Sequence, residues 1–280
     1  MNVRNLDHLV ISVAGLDAAR RRFGDLGFTV APEGVHPFGT INACVYFADG
    51  TMVEPLTIGD AATVEAAAAE GNSFVLGDRR FRESRGGEGL SGLVFTTEDA
   101  DADHAEFTRR GLSGGSMVAF SRPFTDKDGK ADIASFLLAF AAPQGGADAY
   151  FFNCERRKVP AVDRSALERH ENGATRIAAV EAEAADPELF AGFLAEIARA
   201  APTKEDGFYE VGLPNVTLRV RENAALAAPR LTGIVFGVHS LAQTLTLLKA
   251  RGVAFEERHG RLHVPAASGQ GAAFTFEETS

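Results

Sequence analysis

The sequence predicts an α+β protein in which one supersecondary unit recurs four times and the copies pair through their sheets. Three observations lead there. A short apolar strand runs through a turn into a helix at four points along the chain, and self-similarity of this kind marks duplicated structure. Each helix is followed by two or three strand-like segments, which separates the pattern from the strict strand–helix alternation of a parallel α/β sheet. The 280 residues are 45% hydrophobic, enough to fill the cores that paired units would share.

The first unit opens with HLVISVAGLDAARRRFGDLGFTV (8–30) and continues in two strands, GTINACVYFA and TMVEPLTI, joined at the turn Asp49-Gly50. GDAATVEAAAAEGNSFVLGDRRFRESRGGEG (59–89) predicts one or two Ala-rich helices running into a Gly/Arg-rich link. The second unit begins at GLVFTTEDADADHAEFTRRGLSGG (92–115), followed by the strands GSMVAFSRPF, ADIASFLLAFAA and DAYFFNCER. A polar connector, RRKVPAVDRSALERHENGA (156–174), leads into the third unit, TRIAAVEAEAADPELFAGFLAEIARA (175–200). There Asp186 is placed to cap the helix and Pro187 to fill its first turn, with GFYEVGL and NVTLRVRE as strands. The fourth unit, LTGIVFGVHSLAQTLTLLKARGVAFE (231–256), is capped by Ser240, stopped by Gly252 and completed by GRLHVPA and AAFTFEE. The expected division is an N-terminal pair over 1–158, with modules at about 4–58 and 90–157 and the insert 59–89. A shorter C-terminal pair spans 159–280, with modules at about 172–222 and 230–278. Whether module one pairs with module two or module four is open from sequence.

Composition narrows the functional classes. A net charge of −10 spread along the chain argues against a nucleic-acid or anionic-membrane surface. No apolar run reaches the ~18 residues needed to span a bilayer, and the start, with Asn2 and Arg4, lacks the pattern of an export signal. A cytoplasmic protein is expected, with a small molecule as its partner, and a homodimer and a monomer are equally open. Cys44 and Cys154 lie far apart without metal-site spacing. The Gly-rich stretches GLSGGS and AASGQGAA lack the context of a phosphate cradle, so no nucleotide cofactor is indicated.

LDHLVISVAGLDAA, HPFGTIN and YFADGTMVEPLTI resemble the first strand, loop and closing hairpin of the vicinal oxygen chelate superfamily, the glyoxalase/bleomycin-resistance/dioxygenase group. YFFNCERR and HENGA are similar to a second-half motif of its glyoxalase-like members. The resemblance covers most of 4–200 and, beyond that, only the order of strands and helices. It implies paired βαβββ modules curled into cup-like half-barrels of mixed sheet. In metal-using members the ligands come from the first and last strands of two modules, and His8 and Glu54 hold those positions in module one.

The residue types agree with that role. Imidazole and carboxylate suit Fe²⁺, Mn²⁺, Zn²⁺ or Ni²⁺, leaving open positions for a substrate with two neighbouring oxygens. Such a metal would support isomerase, lyase or dioxygenase chemistry. The expected metal set is therefore His8, Glu54 and Glu155, with Glu54 also as catalytic carboxylate and His36, Thr40 and Asn42 as substrate-binding groups at the rim. The pattern is incomplete: the first-strand equivalents of His8 are Gly92, a residue near Ile177, and Gly233, none able to ligate. The facing of Asn153, Cys154 and Glu155 is unsettled, since a one-residue slip inverts every side chain. A metal-free protein that sequesters a small molecule is the alternative. His170 and Asn172 read as structural, His104 as part of a solvated helix face, and His263 as the one late histidine able to face inward.

Overall fold

Module one folds as β1 (Leu6–Ser12), α1 (Leu16–Asp25), β2 (Gly34–Val35), β3 (Thr40–Asn42), β4 (Val45–Tyr46) and β5 (Met52–Ile58). The insert forms two helices, α2 (Ala61–Ala69) and α3 (Ser73–Arg85). Module two comprises β6 (Gly89–Thr97), α4 (Ala100–Arg109), β7 (Val118–Thr125), β8 (Ala131–Ala141) and β9 (Tyr150–Lys158). Module three is β10 (Ala174–Ala184), α5 (Pro187–Ala198), β11 (Pro202–Glu205), β12 (Phe208–Gly212) and β13 (Thr217–Glu222). Module four is β14 (Arg230–Val238), α6 (Leu241–Ala250), β15 (Glu256–Arg258), β16 (Arg261–Val264) and β17 (Ala273–Glu278). This computed structural model describes residues 2–125, 131–160, 162–205 and 207–279.

Local chemistry explains the boundaries. Asp186 accepts from Leu189 N–H at 2.9 Å at the start of α5, with Pro187 as its first residue, and Ser240 accepts from Gln243 N–H at the start of α6. Gly252 takes φ +63° just past α6, the left-handed conformation that ends helices. The expected strand GTINACVYFA instead breaks into β3 and β4. Its partner β5 carries Pro55, which has no N–H to offer across the gap; only the Pro55 carbonyl is used, by Ala43 N–H at 3.1 Å.

Two mixed sheets result. The first runs β2-β3-β5-β1-β6-β9-β8-β7, with β4 also on β5, and the second runs β11-β12-β13-β10-β14-β17-β16-β15. In each sheet the first strands of two modules cross antiparallel, β1 with β6 and β10 with β14. Each first strand lies parallel to its own module's last strand, β1 with β5, β6 with β9, β10 with β13 and β14 with β17. Module one therefore shares its sheet with module two, and module three with module four.

One apolar core joins the two sheets. It combines Leu9 and Ile11 of β1 and Phe23 of α1 with Phe190 of α5 and Ile177, Phe236 and Phe274 of the second sheet. Phe28 meets Phe236 with ring centroids 4.9 Å apart, and Phe151 of β9 meets Phe193 of α5 at 5.2 Å. A polar seam backs this contact: Asp103 of α4 accepts from both Arg4 and Arg199. The opposite, concave face of the first sheet has its own core, and the insert supplies its plug. Phe74, Val75 and Val64 of α2 and α3 pack against Val10, Leu56, Val94, Leu138, Phe140 and Phe152. Buried polar contacts fasten the plug. Asp78 accepts from Ser12 Oγ at 2.5 Å and from Arg82 Nε at 2.7 Å, while Arg82 also donates to the carbonyls of Val13, Leu56 and Gly87.

Candidate functional site in the cup of the first sheet

β1 alternates between its two faces, sending Leu9 and Ile11 into the core between the sheets and His8 and Val10 into the cup. The pairing of β1 with β6 skips Asp7, between Leu6↔Phe95 and His8↔Val94. Asp7 is thus a bulged residue, and it joins His8 in lining the cavity instead of pointing away. Bulges redirect single side chains in this way beside functional sites. β5 runs alongside with Val10 opposite Glu54, so the Glu54 carboxylate arrives next to the imidazole.

The result is a buried chain of charges. Arg156 of β9 holds Asp7 with two hydrogen bonds, Nε to Oδ2 at 2.8 Å and Nη2 to Oδ1 at 2.7 Å. Asp7 Oδ1 accepts from His8 Nδ1 at 2.5 Å, and His8 Nε2 faces Glu54 Oε2 at 3.4 Å. Asn42 Nδ2 donates to Glu54 Oε1 at 2.5 Å, and His36 Nε2 stands 3.7 Å from the same oxygen. Thr40 closes the series, its hydroxyl 2.9 Å from His36 Nδ1. His8, Glu54, His36 and Asp7 are all less than a tenth exposed.

Burial and partners shift these groups in opposite senses. For His8, burial is the largest influence and opposes protonation, but the hydrogen bonds to Asp7 and Glu54 outweigh it and raise the pKa. For Glu54, burial works upward and is overcome by the His8 hydrogen bond and the nearby histidines, bringing it down to about 2. Asp7 is likewise held below the usual carboxylate range, against burial, by Arg156 and His8. His36 has no carboxylate on its Nδ1, and burial takes it down to about 4. The floor therefore favours the protonated form of His8 between two carboxylates, with a neutral imidazole beside them.

These groups surround a cavity of about 40 Å³, walled by Phe74, Phe120, Phe136, Leu138 and Phe152 and edged by Arg122. Its roof is a seam where the two edges of the sheet meet. Phe120 of β7 packs against His36 at 5.4 Å and Phe38 at 5.3 Å. A Cβ on Gly34 of β2 would collide with Asn42 Oδ1 and lie 2.5 Å from Arg122 Nη1, so glycine leaves both side chains their present room at the seam.

The pseudo-twofold relation between modules fixes which residues share the floor. The crossing centres on Leu9↔Leu93, so His8 corresponds to Gly92, and Glu54, opposite Val10, corresponds to Phe152, opposite Val94. In the second sheet the crossing centres on Val180↔Ile234, and the same positions hold Ala179, Arg219, Gly233 and Thr275. Ala179, and not the expected neighbourhood of Ile177, is thus the module-three counterpart: a register shift between the two turns Ile177 into the core. Glu155 is brought to neither His8 nor Glu54. It lies on the face of β9 opposite Cys154, accepting from Ala100 N–H of α4 at 3.0 Å and pairing with Arg157. Asn153 shares that face, donating to Asp103. Thr40 and Asn42 lie behind the cavity and act through His36 and Glu54. Asp7, Arg122 and Arg156 escaped the sequence reading.

The donor set does not fit a resident divalent cation. Of four floor positions only His8 and Glu54 could ligate; Phe152 fills the third, and a Cβ at Gly92 would sit 2.9 Å from Val10 Cγ2. Among the described residues no group of three His, Cys, Asp or Glu side chains is placed to hold a metal. Elsewhere, His170 and Asn172 are structural, as expected, joining the connector to module one. His170 accepts from Thr29 N–H at 3.0 Å and bonds the Tyr46 carbonyl at 3.0 Å; Asn172 donates to the Leu26 carbonyl. His263 Nδ1 meets Thr275 Oγ1 at 3.0 Å on the concave face of the second sheet, while His104 is half-buried and not fully solvated.

Paired βαβββ modules in two curved mixed sheets, with ionisable groups on a cup floor, define the vicinal oxygen chelate superfamily. Within it, the chain belongs to the glyoxalase-like domain family, whose sequence profile matches residues 6–198. Solved structures agree on the fold. A hypothetical protein from Staphylococcus aureus superposes with TM-score 0.70 at 13% identity, covering 99% of this chain and 100% of that one. A mutant 4-hydroxymandelate synthase from Streptomyces coelicolor gives 0.65 at 13%, covering 99% and 93%. The 2,3-dioxygenase LapB from Pseudomonas sp. KL28 gives 0.58 at 9%, covering 100% and 94%. No curated protein matches the sequence. Among the described residues, no helix is long and apolar enough to cross a membrane.

Proposed function

We propose that this protein binds a small oxygen-bearing organic molecule in the cup of the first sheet, using His8 and Glu54 as hydrogen-bonding and proton-carrying groups without a resident divalent metal. One observation carries this reading: Arg156, Asp7, His8 and Glu54 form a chain of hydrogen bonds and an ion pair at the base of an aromatic-walled cavity. A concave apolar pocket with a few convergent polar groups is the common form of a small-molecule site. The imidazolium can donate to a ligand oxygen, and the Glu54 carboxylate can accept from a ligand hydroxyl or take an acidic proton. At about 40 Å³ the cavity holds little more than a water molecule. A ligand enters by parting the seam between β2 and β7, since α3 is anchored by Asp78 and Arg82.

The test is a thermal-shift screen of small carbonyl, enol and diol compounds against the untagged protein, with metal content measured by inductively coupled plasma mass spectrometry. The reading expects ligands whose stabilisation vanishes in His8→Ala and Glu54→Ala, and metal well below one ion per chain. Stoichiometric metal that is lost in both variants would overturn it in favour of a metal-dependent lyase, isomerase or dioxygenase.

A further inference from the structure

We infer that the ligand is an organic acid whose carboxylate is recognised by Arg122; this rests on the reading of the cup as a binding site. Arg122 lies on β7, half-buried, and edges the cavity with His8, His36 and Glu54. Every other ionised group around that cavity is matched. Arg156 is spent on Asp7 through two hydrogen bonds, and Glu54 is opposed by His8. Arg122 makes neither a hydrogen bond nor an ion pair among the described residues; its one polar contact is the face of Phe136, 5.9 Å from the ring centroid. Arg122 is thus the cation of the lining that no carboxylate among the described residues pairs.

A partly desolvated guanidinium with five N–H donors unfilled is unfavourable in isolation and is suited to a bidentate oxyanion. Phosphate or sulfate would also answer the charge, but the walls favour an acid with an apolar body. Phe74, Phe120, Phe136 and Phe152 surround the space beside Arg122, which among the described residues is its only unpaired cation. A multiply charged ion would leave charge unmatched against four rings.

The probes are phenylacetate and phenylacetamide, nearly identical in shape and different in charge, titrated calorimetrically into the wild type, Arg122→Gln and Arg122→Lys, with melting temperatures recorded alongside. Expected results are binding of phenylacetate, an affinity for phenylacetamide lower by about tenfold or more, and loss of that preference in Arg122→Gln. The lysine variant should recover part of it. Without ligand, Arg122→Gln should melt no lower than the wild type, because a recognition group held without a partner adds no stability. Equal binding of acid and amide, or an unchanged preference in Arg122→Gln, overturns the assignment while leaving the cup reading intact. Binding of neither probe overturns it too, and the cup reading then stands or falls on the His8 and Glu54 variants. A ligand-free Arg122→Gln that melts well below the wild type assigns Arg122 a structural role instead.

Discussion

His170 offers a direct measure of how the two halves are joined. Its Nδ1 accepts the Thr29 N–H, so the ring is neutral with its proton on Nε2, donated to the Tyr46 carbonyl. The ring packs against Phe28 at 5.4 Å and Phe47 at 5.1 Å. A second proton on Nδ1 would break the bond to Thr29, and burial, the main cause, takes the pKa from 6.5 down to about 4. The folded value lies below the unfolded one, so the contribution is complete above 6.5 and fades as the pH falls toward 4. The full shift corresponds to about 3 kcal/mol, of which about 2 kcal/mol should be gone by about pH 5. Urea unfolding of the wild type and His170→Gln at several pH values isolates this term, because Gln keeps hydrogen-bonding capacity but does not titrate. His36 titrates over the same range and Glu54 below it, but both are common to the two proteins and cancel. The gap between them should be about 2–3 kcal/mol at neutral pH, from the lost ring packing and from hydrogen bonds that Gln reaches with poorer geometry, and should close almost entirely by about pH 5. A gap that stays constant with pH would refute the reasoning.

Three further outcomes follow from the same geometry. Asp7→Asn should lower the His8 pKa, as seen by imidazole NMR, and cost about 3 kcal/mol in denaturant unfolding, because Arg156 loses a doubly bonded carboxylate; an unmoved His8 titration would contradict the assignment. Arg82→Met leaves the buried Asp78 without its cation and removes the guanidinium bonds to the carbonyls of Val13, Leu56 and Gly87, so the unfolding midpoint should fall by an amount equal to about 3–5 kcal/mol, and a loss under about 1 kcal/mol would show the plug is held by packing alone. Gly39→Ala combines φ +91° with a Cβ 2.7 Å from the Asp60 carbonyl and 2.8 Å from Val64 N, both backbone atoms, and should cost at least about 2 kcal/mol by thermal unfolding.

Periodicity and helix caps made most of the architecture legible. Asp186, Pro187, Ser240 and Gly252 do locally what their residue types dictate, and the Ala-rich insert is helical. The family resemblance pairs His8 with Glu54, because it sets the first and last strands of a module together, and β1 does lie beside β5. Groups set by register were hidden. Asp7 reads as a residue facing away from His8, and only the bulge in the β1–β6 ladder brings both to the cavity. Cys154 and Glu155 differ by one position and therefore by a whole face, which no composition or spacing reveals. Arg122 comes to the site because two sheet edges close over it, a long-range consequence of curvature that a single strand does not encode.

The two cups share one construction and differ in the side chains on their floors. Their crossings are built alike, and each places a glycine, Gly92 or Gly233, where the first strands pass. In both cases a side chain has no room: a Cβ at Gly233 would lie 3.0 Å from Glu181 Oε2 and 3.1 Å from the Ala273 carbonyl. The remaining positions diverge. Where the first cup has His8 and Glu54, the second has Ala179 and Arg219, and Arg219 is already satisfied by Glu210 at 2.9 Å. Nearby, Glu183 is saturated by Arg221, Arg230 and Asn223. Arg219 and Glu183 are thus paired from within the sheet, and Glu181, beside Gly233, is left as a carboxylate without an ion-pair partner among the described residues. The first cup is sealed by apolar helices and left with a guanidinium that nothing described in the chain neutralises, and an imbalance of that kind is what a ligand can relieve.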